Sequence, residues 1–244
     1  RVCRDALKSL NEDAGWTLSS DRDNTRVQYR RVGDCFAVKI DALVTGVRPA
    51  DTLVLWREAN LYIKWFPLVT SSRMLLDLHP AEIALHAEID NWVLCQDFCS
   101  HGFGCDNLAE GYFTLHVRPL EEGDLDGVEL PPVPTKRRIL PAERVPAVID
   151  MLVEPLSASS VRFCYSLALP LDPSVPSWVV SYLLQHGMSQ IFSRMTREAR
   201  RMAAGDQTSP HLQRIADPEY RATREWVTSR VDAYLAALEG AGGR

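Results

Sequence analysis

In CFAVKIDALV, residues 35–44, the apolar side chains Phe36, Val38, Ile40, Ala42 and Val44 occupy alternate positions. That is the period of a strand with one buried face. GWTLSS (15–20) and TRVQYRRV (25–32) are strand-like and are separated by the turn-forming DRDN, so a three-stranded antiparallel unit follows a short helix over residues 1–14. The period then changes. Arg48-Pro49-Ala50-Asp51 puts proline in a first helical turn with an acid beside it, and TLVLWREANLYIKW continues that helix until Pro67. SSRMLLDLH (71–79) and AEIALHAEID (81–90) return to alternation, the latter with Ile83, Leu85, Ala87 and Ile89 on one side. They form a hairpin around His79-Pro80.

Residues 121–134, EEGDLDGVELPPVP, are rich in acids, glycine and proline and predict an exposed, mobile loop. TKRRIL, AVIDMLVEPL and SSVRFCYSLALPL resume strand character, and a long helix runs from near Pro176 to about Ala204. On it Val180, Leu184, Gly187, Met188, Ile191 and Met195 recur at three- and four-residue steps, giving one apolar face. Gly187 in mid-helix costs ~1 kcal/mol relative to Ala, so it predicts close approach of a ligand or strand. Residues 218–239 form a second amphipathic helix. No internal repeat is visible. The order of helix, three strands, helix, several strands and long helix lets an antiparallel sheet curl around the long helix and leave a cavity between them.

Composition narrows the function classes. A 244-residue chain with 46% hydrophobic and 24% charged residues is an ordinary globular protein, and its net charge of -5 argues against a generally basic nucleic-acid binder. The run 173–193 is uncharged and approaches the ~20 residues of a bilayer span, but its prolines, serines, glutamines and histidine make it a buried or amphipathic helix instead. The six cysteines lie within apolar stretches, as reduced cysteines do, which points to a reducing, cytoplasmic compartment. The chain begins at Arg1 without an initiator Met, so it is expected to be a processed segment whose targeting sequence is gone.

CQDFCSHGFGC, residues 95–105, concentrates candidate chemistry. Cys95, Cys99, His101 and Cys105 could supply four zinc ligands, yet their spacing matches no familiar metal pattern, and no metal is expected. Cys95 and Cys99 on one strand would lie ~13 Å apart, too far for a disulfide. The segment therefore reads as core or cavity lining. Its Cys and Gly residues leave volume for an acyl chain, Phe98 and Phe103 supply apolar wall, and Asp97 or His101 orients a head group. No nucleotide-binding or hydrolase motif is present. Lys136, Arg137 and Arg138, with Arg194, Arg197, Arg200 and Arg201, form basic clusters that are either charges complementing a helix C-terminus or a face for anionic lipid.

Three stretches resemble the START (StAR-related lipid-transfer) domain family. Lys64-Trp65-Phe66-Pro67 is similar to the family's "W-x-P" junction, Gln96-Asp97-Phe98 sits where the family usually has Arg-Asp-Phe, and Leu171 to Trp178 looks like the entry into the family's final helix. The resemblance covers about residues 10–204. It implies an α+β helix-grip fold (START/Bet v 1-like), with a START-like domain over 1–205 and a helical extension over 206–244. It further implies non-catalytic binding and transfer, or sensing, of one hydrophobic lipid by a monomer, with no cofactor and no nucleic-acid partner. Phe98, His101, Phe103, Asp97, Val180, Leu184, Gly187, Met188 and Ile191 are then the expected lipid contacts. Lys136, Arg137 and Arg138 would touch the membrane surface transiently. Gln96 in place of Arg departs from the family pattern and removes a buried Arg–carboxylate pair of the kind associated with sterol-binding members. The alternative is a helix-grip enzyme of cyclase or hydrolase type, with Asp97, His101, His116 and His186 as acid–base candidates.

Overall fold

The computed structural model of the chain describes residues 7–8, 10–11, 14–33, 35–92, 95–139, 142–170, 177–214 and 217–242. Its strands are β1 (Thr17–Arg22), β2 (Thr25–Val32), β3 (Cys35–Thr45), β4 (Ser71–His79), β5 (Glu82–Asp90), β6 (Cys95–Asn107), β7 (Tyr112–Pro119), β8 (Glu143–Arg144), β9 (Val148–Ser157) and β10 (Ser160–Pro170). They make one sheet in the order β1-β2-β3-β10-β9-β7-β6-β5-β4, with β8 lying parallel beside β6. The helices are α1 (Pro49–Arg57), α2 (Tyr62–Trp65), α3 (Ser177–Ala203), α4 (Pro210–Gln213) and α5 (Pro218–Gly242).

The alternation of β3 works as its sequence predicts, since Phe36, Val38, Ile40, Ala42 and Val44 are all buried on the inner face of the sheet. The helix expected to run to Pro67 does not. It breaks at Glu58, where φ −81 and ψ 70 leave the helical region, and resumes after a tight turn over Ala59–Leu61. The Glu58 carboxylate is buried, 3.1 Å from Arg57 and 3.4 Å from Arg214. Burial raises its pKa above the ordinary value although both guanidinium groups pull it down. The break turns α2 back so that Trp65 meets Trp56 edge-on, ring centroids 5.3 Å apart.

Trp56 also stacks on Phe163 and Tyr165 of β10, and its indole N–H donates to the Met195 sulfur of α3 at 3.2 Å. Phe192 of α3 stacks on Phe163. Met188, Ile191, Met195, Ala199 and Met202 are buried along α3, and each of the four larger side chains contributes roughly 1.5–3 kcal/mol in area removed from water. α5 joins the same core through Tyr220, Val227 and Val231.

The outer face is covered as well. Lys39 is buried there, donating to the Leu10 carbonyl at 3.3 Å. The acidic segment 121–134 is mostly exposed and irregular, as expected, but 135–139 form no strand, and residues 120–139 and 142–147 make a strap across β4, β5 and β6. Leu125, Val128 and Leu130 pack on Ala84, Cys99 and Leu120. Lys136 and Arg138 both grip Asp90, at 2.6 and 2.8 Å, and these bonds hold its carboxyl below the usual carboxylate range. Arg144 anchors the far end, donating to Asp97 at 2.7 Å and to the Pro131 carbonyl at 2.6 Å. Asp97 is fully buried, and His86 Nε2 lies 3.1 Å from the same carboxylate oxygen, Oδ2.

Removing one member of a buried pair strands the other, at a cost of about 3–5 kcal/mol. Arg144→Met should therefore lower stability by about 3 kcal/mol in urea titration. Asp97→Asn/Arg144→Met should recover part of that loss.

Candidate functional site

A cavity of about 80 Å³ lies between the inner face of β5, β6 and β7 and the helices α1 and α5. Its walls are apolar: Leu53 and Val54 of α1, Ile83 and Leu85 of β5, Phe113, Leu115 and Val117 of β7, Met151 of β9, and Trp226 and Val227 of α5. Gly102 and Gly104 of β6 belong to the same wall. Gly102 pairs with Ile83 and Val117, both inward-facing, so a side chain there would point at the cavity. A Cβ added to Gly102 would meet Val117 Cγ2 at 3.5 Å and Ile83 Cγ1 at 3.8 Å, which is ordinary contact.

The charged groups of the wall are Arg57, Glu82 and Asp106, and each has a partner. Arg57 donates twice to Asp77, at 2.6 and 2.7 Å, Glu82 accepts from or shares a proton with His101 at 2.8 Å, and Asp106 accepts from Arg230 of α5 at 2.7 Å. The cavity falls short of the ~300 Å³ expected of a ready-made ligand pocket. Trp56, Tyr62, Trp65, Phe163, Tyr165 and Phe192 fill the space between α3 and the strands opposite it.

The structure separates the expected lipid contacts. Phe98 shares the face of its inward-facing neighbour Ala87 and is half-buried. Asp97 and His101 alternate with it and belong to the opposite face, under the strap, so neither orients a head group inside the cavity. Phe103 contributes to the wall, but its ring lies between the imidazoles of His101 and His116, with centroids 5.6 and 5.3 Å away. Met188 and Ile191 are buried in the core with α3, outside the cavity wall. The side chains of Val180, Leu184 and His186 lie outside the described residues. Gly187 has nothing within 4 Å of where a Cβ would sit among the described residues, so no strand approaches it.

Nor does the fold assemble the set Cys95, Cys99, His101 and Cys105. Among the described residues the ligand-type side chains that gather are His86, Asp97 and Cys99, whose donor atoms lie within 4.8 Å of one another. Arg144 already neutralises Asp97, and burial pushes the Cys99 thiol up to about 11, so the group fastens the strap and offers a cation little. Cys35, Cys95, Cys99 and Cys164 are free, whereas Cys105 is disulfide-bonded, against the expectation that every cysteine is reduced. The cavity residues that sequence reasoning missed are Leu53, Val54, Trp226 and Val227. Their amphipathic spacing was visible, but not that two helices far apart in sequence would share one wall.

A curved antiparallel sheet holding a long helix across one face, with an apolar cavity on that side, defines the helix-grip class. Solved structures place the chain within it. Human STARD10 is similar over 89% of this chain and 86% of that one, with a TM-score of 0.69 and 15% identity. Human StAR-related lipid transfer protein 5 is similar over 82% and 93%, with 0.67 and 15%. A STAR-related lipid transfer protein fragment from Xanthomonas axonopodis is similar over 76% and 99%, with 0.62 and 20%. The chain thus has the START-domain helix-grip fold. No protein-family model and no curated protein matches the sequence. Among the described residues no helix is long and apolar enough to cross a membrane.

With open space beside Gly187, Gly187→Ala should raise stability by about 1 kcal/mol through helix propensity. Denaturant titration reads this directly, and a loss of stability would show that the glycine is needed.

Proposed function

We propose that the chain binds one lipid in the cavity beneath α1 and α5 and carries it between membranes, or reports its presence, without chemistry. The observation that carries this reading is the wall itself: apolar side chains face two glycines across an unfilled space, inside a fold whose solved examples include proteins named for lipid transfer. Removing alkyl surface from water at about 25 cal/mol per Å² would supply the affinity. The acid–base candidates Asp97, His101 and His116 belong to the outer side of the sheet, with His116 held by Asp150 at 2.6 Å, which favours binding over catalysis. At about 30 Å³ per water, the present cavity equals fewer than three water volumes, so binding a whole lipid moves a helix outward.

Organic-solvent extraction of the purified protein followed by mass spectrometry should recover about one lipid per chain. Gly102→Val, which fills the cavity from a strand that favours β-branched residues, should abolish the recovered lipid and leave the fold intact. Equal recovery from both proteins would count against the cavity.

The membrane contact of this reading lies at the strap's end of the sheet. Lys136 and Arg138 share Asp90, two residues from Trp92, which is 78% exposed, and Ile139 beside them is 65% exposed. An exposed Trp flanked by basic residues suits the interface of an anionic bilayer. Trp92→Ala/Arg137→Glu leaves the Asp90 clip intact and should slow transfer to anionic vesicles. The wild-type rate should fall with rising salt. Transfer that ignores salt, vesicle charge and this substitution would remove the docking face.

A further inference from the structure

We infer that the cavity takes a single straight alkyl chain, tail-first, through the end covered by α5, and that α5 is the helix that moves to admit it. This rests on the lipid-binding reading of the cavity. The described half of α3 is poorly placed to serve as the door. Met188, Met195, Ala199 and Met202 are buried on it, Met195 is hydrogen-bonded by Trp56, and Phe192 is stacked on Phe163. None of them lines the cavity, whose long helical wall is α5.

The attachment of α5 is uneven along its length. Near its start Tyr220 is buried and Arg224 reaches the buried Asp51 at 3.1 Å, which makes a fixed end. Trp226 and Val227 then cover the cavity. Beyond them Val231 is buried and Tyr234 and Leu235 pack, partly buried, against the core, while the remaining contacts lie at the surface: the Trp226 ring meets exposed His79 edge-on at 6.3 Å, Arg230 pairs with Asp106 near solvent, and residues 236–240 are exposed. A surface ion pair holds little, and the buried apolar residues of α5 beyond its first two turns, Val227 and Val231, are fewer than those of α3, so pivoting α5 about those turns opens the cavity with less loss of buried contact than moving α3.

The ligand class follows from the size and charge of the same space. A cavity of about 80 Å³ has to widen least for a chain entering end-on, whose cross-section is smaller than that of a fused ring system. Arg57, Glu82 and Asp106 are already paired with Asp77, His101 and Arg230, so among the described residues the wall holds out no uncommitted charge to draw a head group inward. The head group stays at the mouth.

Hydrogen exchange on the ligand-free protein tests the door. Amides of residues 226–240 should exchange faster than those of 188–202, and Arg230→Glu, which sets like charge against Asp106, should speed the former about tenfold and leave the latter unchanged. Dansyl-undecanoic acid should bind wild type and slow exchange in α5, load faster into Arg230→Glu, and outcompete the fluorescent sterol dehydroergosterol. Equal exchange in both helices, an unresponsive Arg230→Glu, or protection of α3 by the probe would overturn the door. Preference for the sterol would overturn the straight chain. Failure of both probes, with no lipid in the extract, would instead refute the lipid-binding reading, while the ligand-free exchange still decides whether α5 is the mobile wall.

Discussion

Trp56 is where the sheet and the helices are joined. Its ring stacks on two aromatic residues of β10, takes Trp65 edge-on from α2 and donates to Met195 of α3. It also stands in the wall of the cavity. On the β10 side of it aromatic rings of β10 and α3 pack on one another, and the unfilled space lies on the β5 and β6 side, where glycines replace side chains. Close packing at interior density leaves room for a void only where side chains are missing or a covering element can shift. Here both conditions meet under α5.

The sheet is unusual in being covered on both faces. Helices cover the inner face, while the strap covers the outer face of β4, β5 and β6 and is fastened by Arg138 on Asp90 and Arg144 on Asp97. A buried carboxylate is tolerable only when paired, so the Asp97–Arg144 contact sets the register of the strap as well as anchoring it. The strap also shields Cys99, whose raised pKa keeps it a thiol.

These two coverings divide the work. The strap side carries the basic residues and exposed Trp92 at one end of the sheet, and the inner side carries the apolar space at the hairpin of β4 and β5. The Glu58 break serves the inner side: it returns the chain so that α2 packs beneath α1 instead of extending past the sheet edge.

The sequence by itself determined the periods. Alternation in β3 and β5, three- and four-residue steps in α3 and α5, and the Pro–Gly–acid composition of 121–134 are local properties, and the elements and the helix-grip order follow from them. The small residues of β6 were legible as a sign of lining, and Gly102 and Gly104 lie there. Only the tertiary structure decided which parity of β6 faces inward, because a strand covered on both sides buries residues of both parities, as Asp97 and Cys99 on one face and Ser100 and Gly102 on the other, and its pattern no longer marks the core. Asp97 and His101 went to the wrong face for that reason. The break at Glu58 depended on Arg214, 156 residues further along, and the strap depended on Asp90 and Asp97. The size of the cavity was set by how the side chains of α1, α5 and β7 meet across Gly102 and Gly104, since the volume left over is a small difference between large packed volumes and no local pattern encodes it.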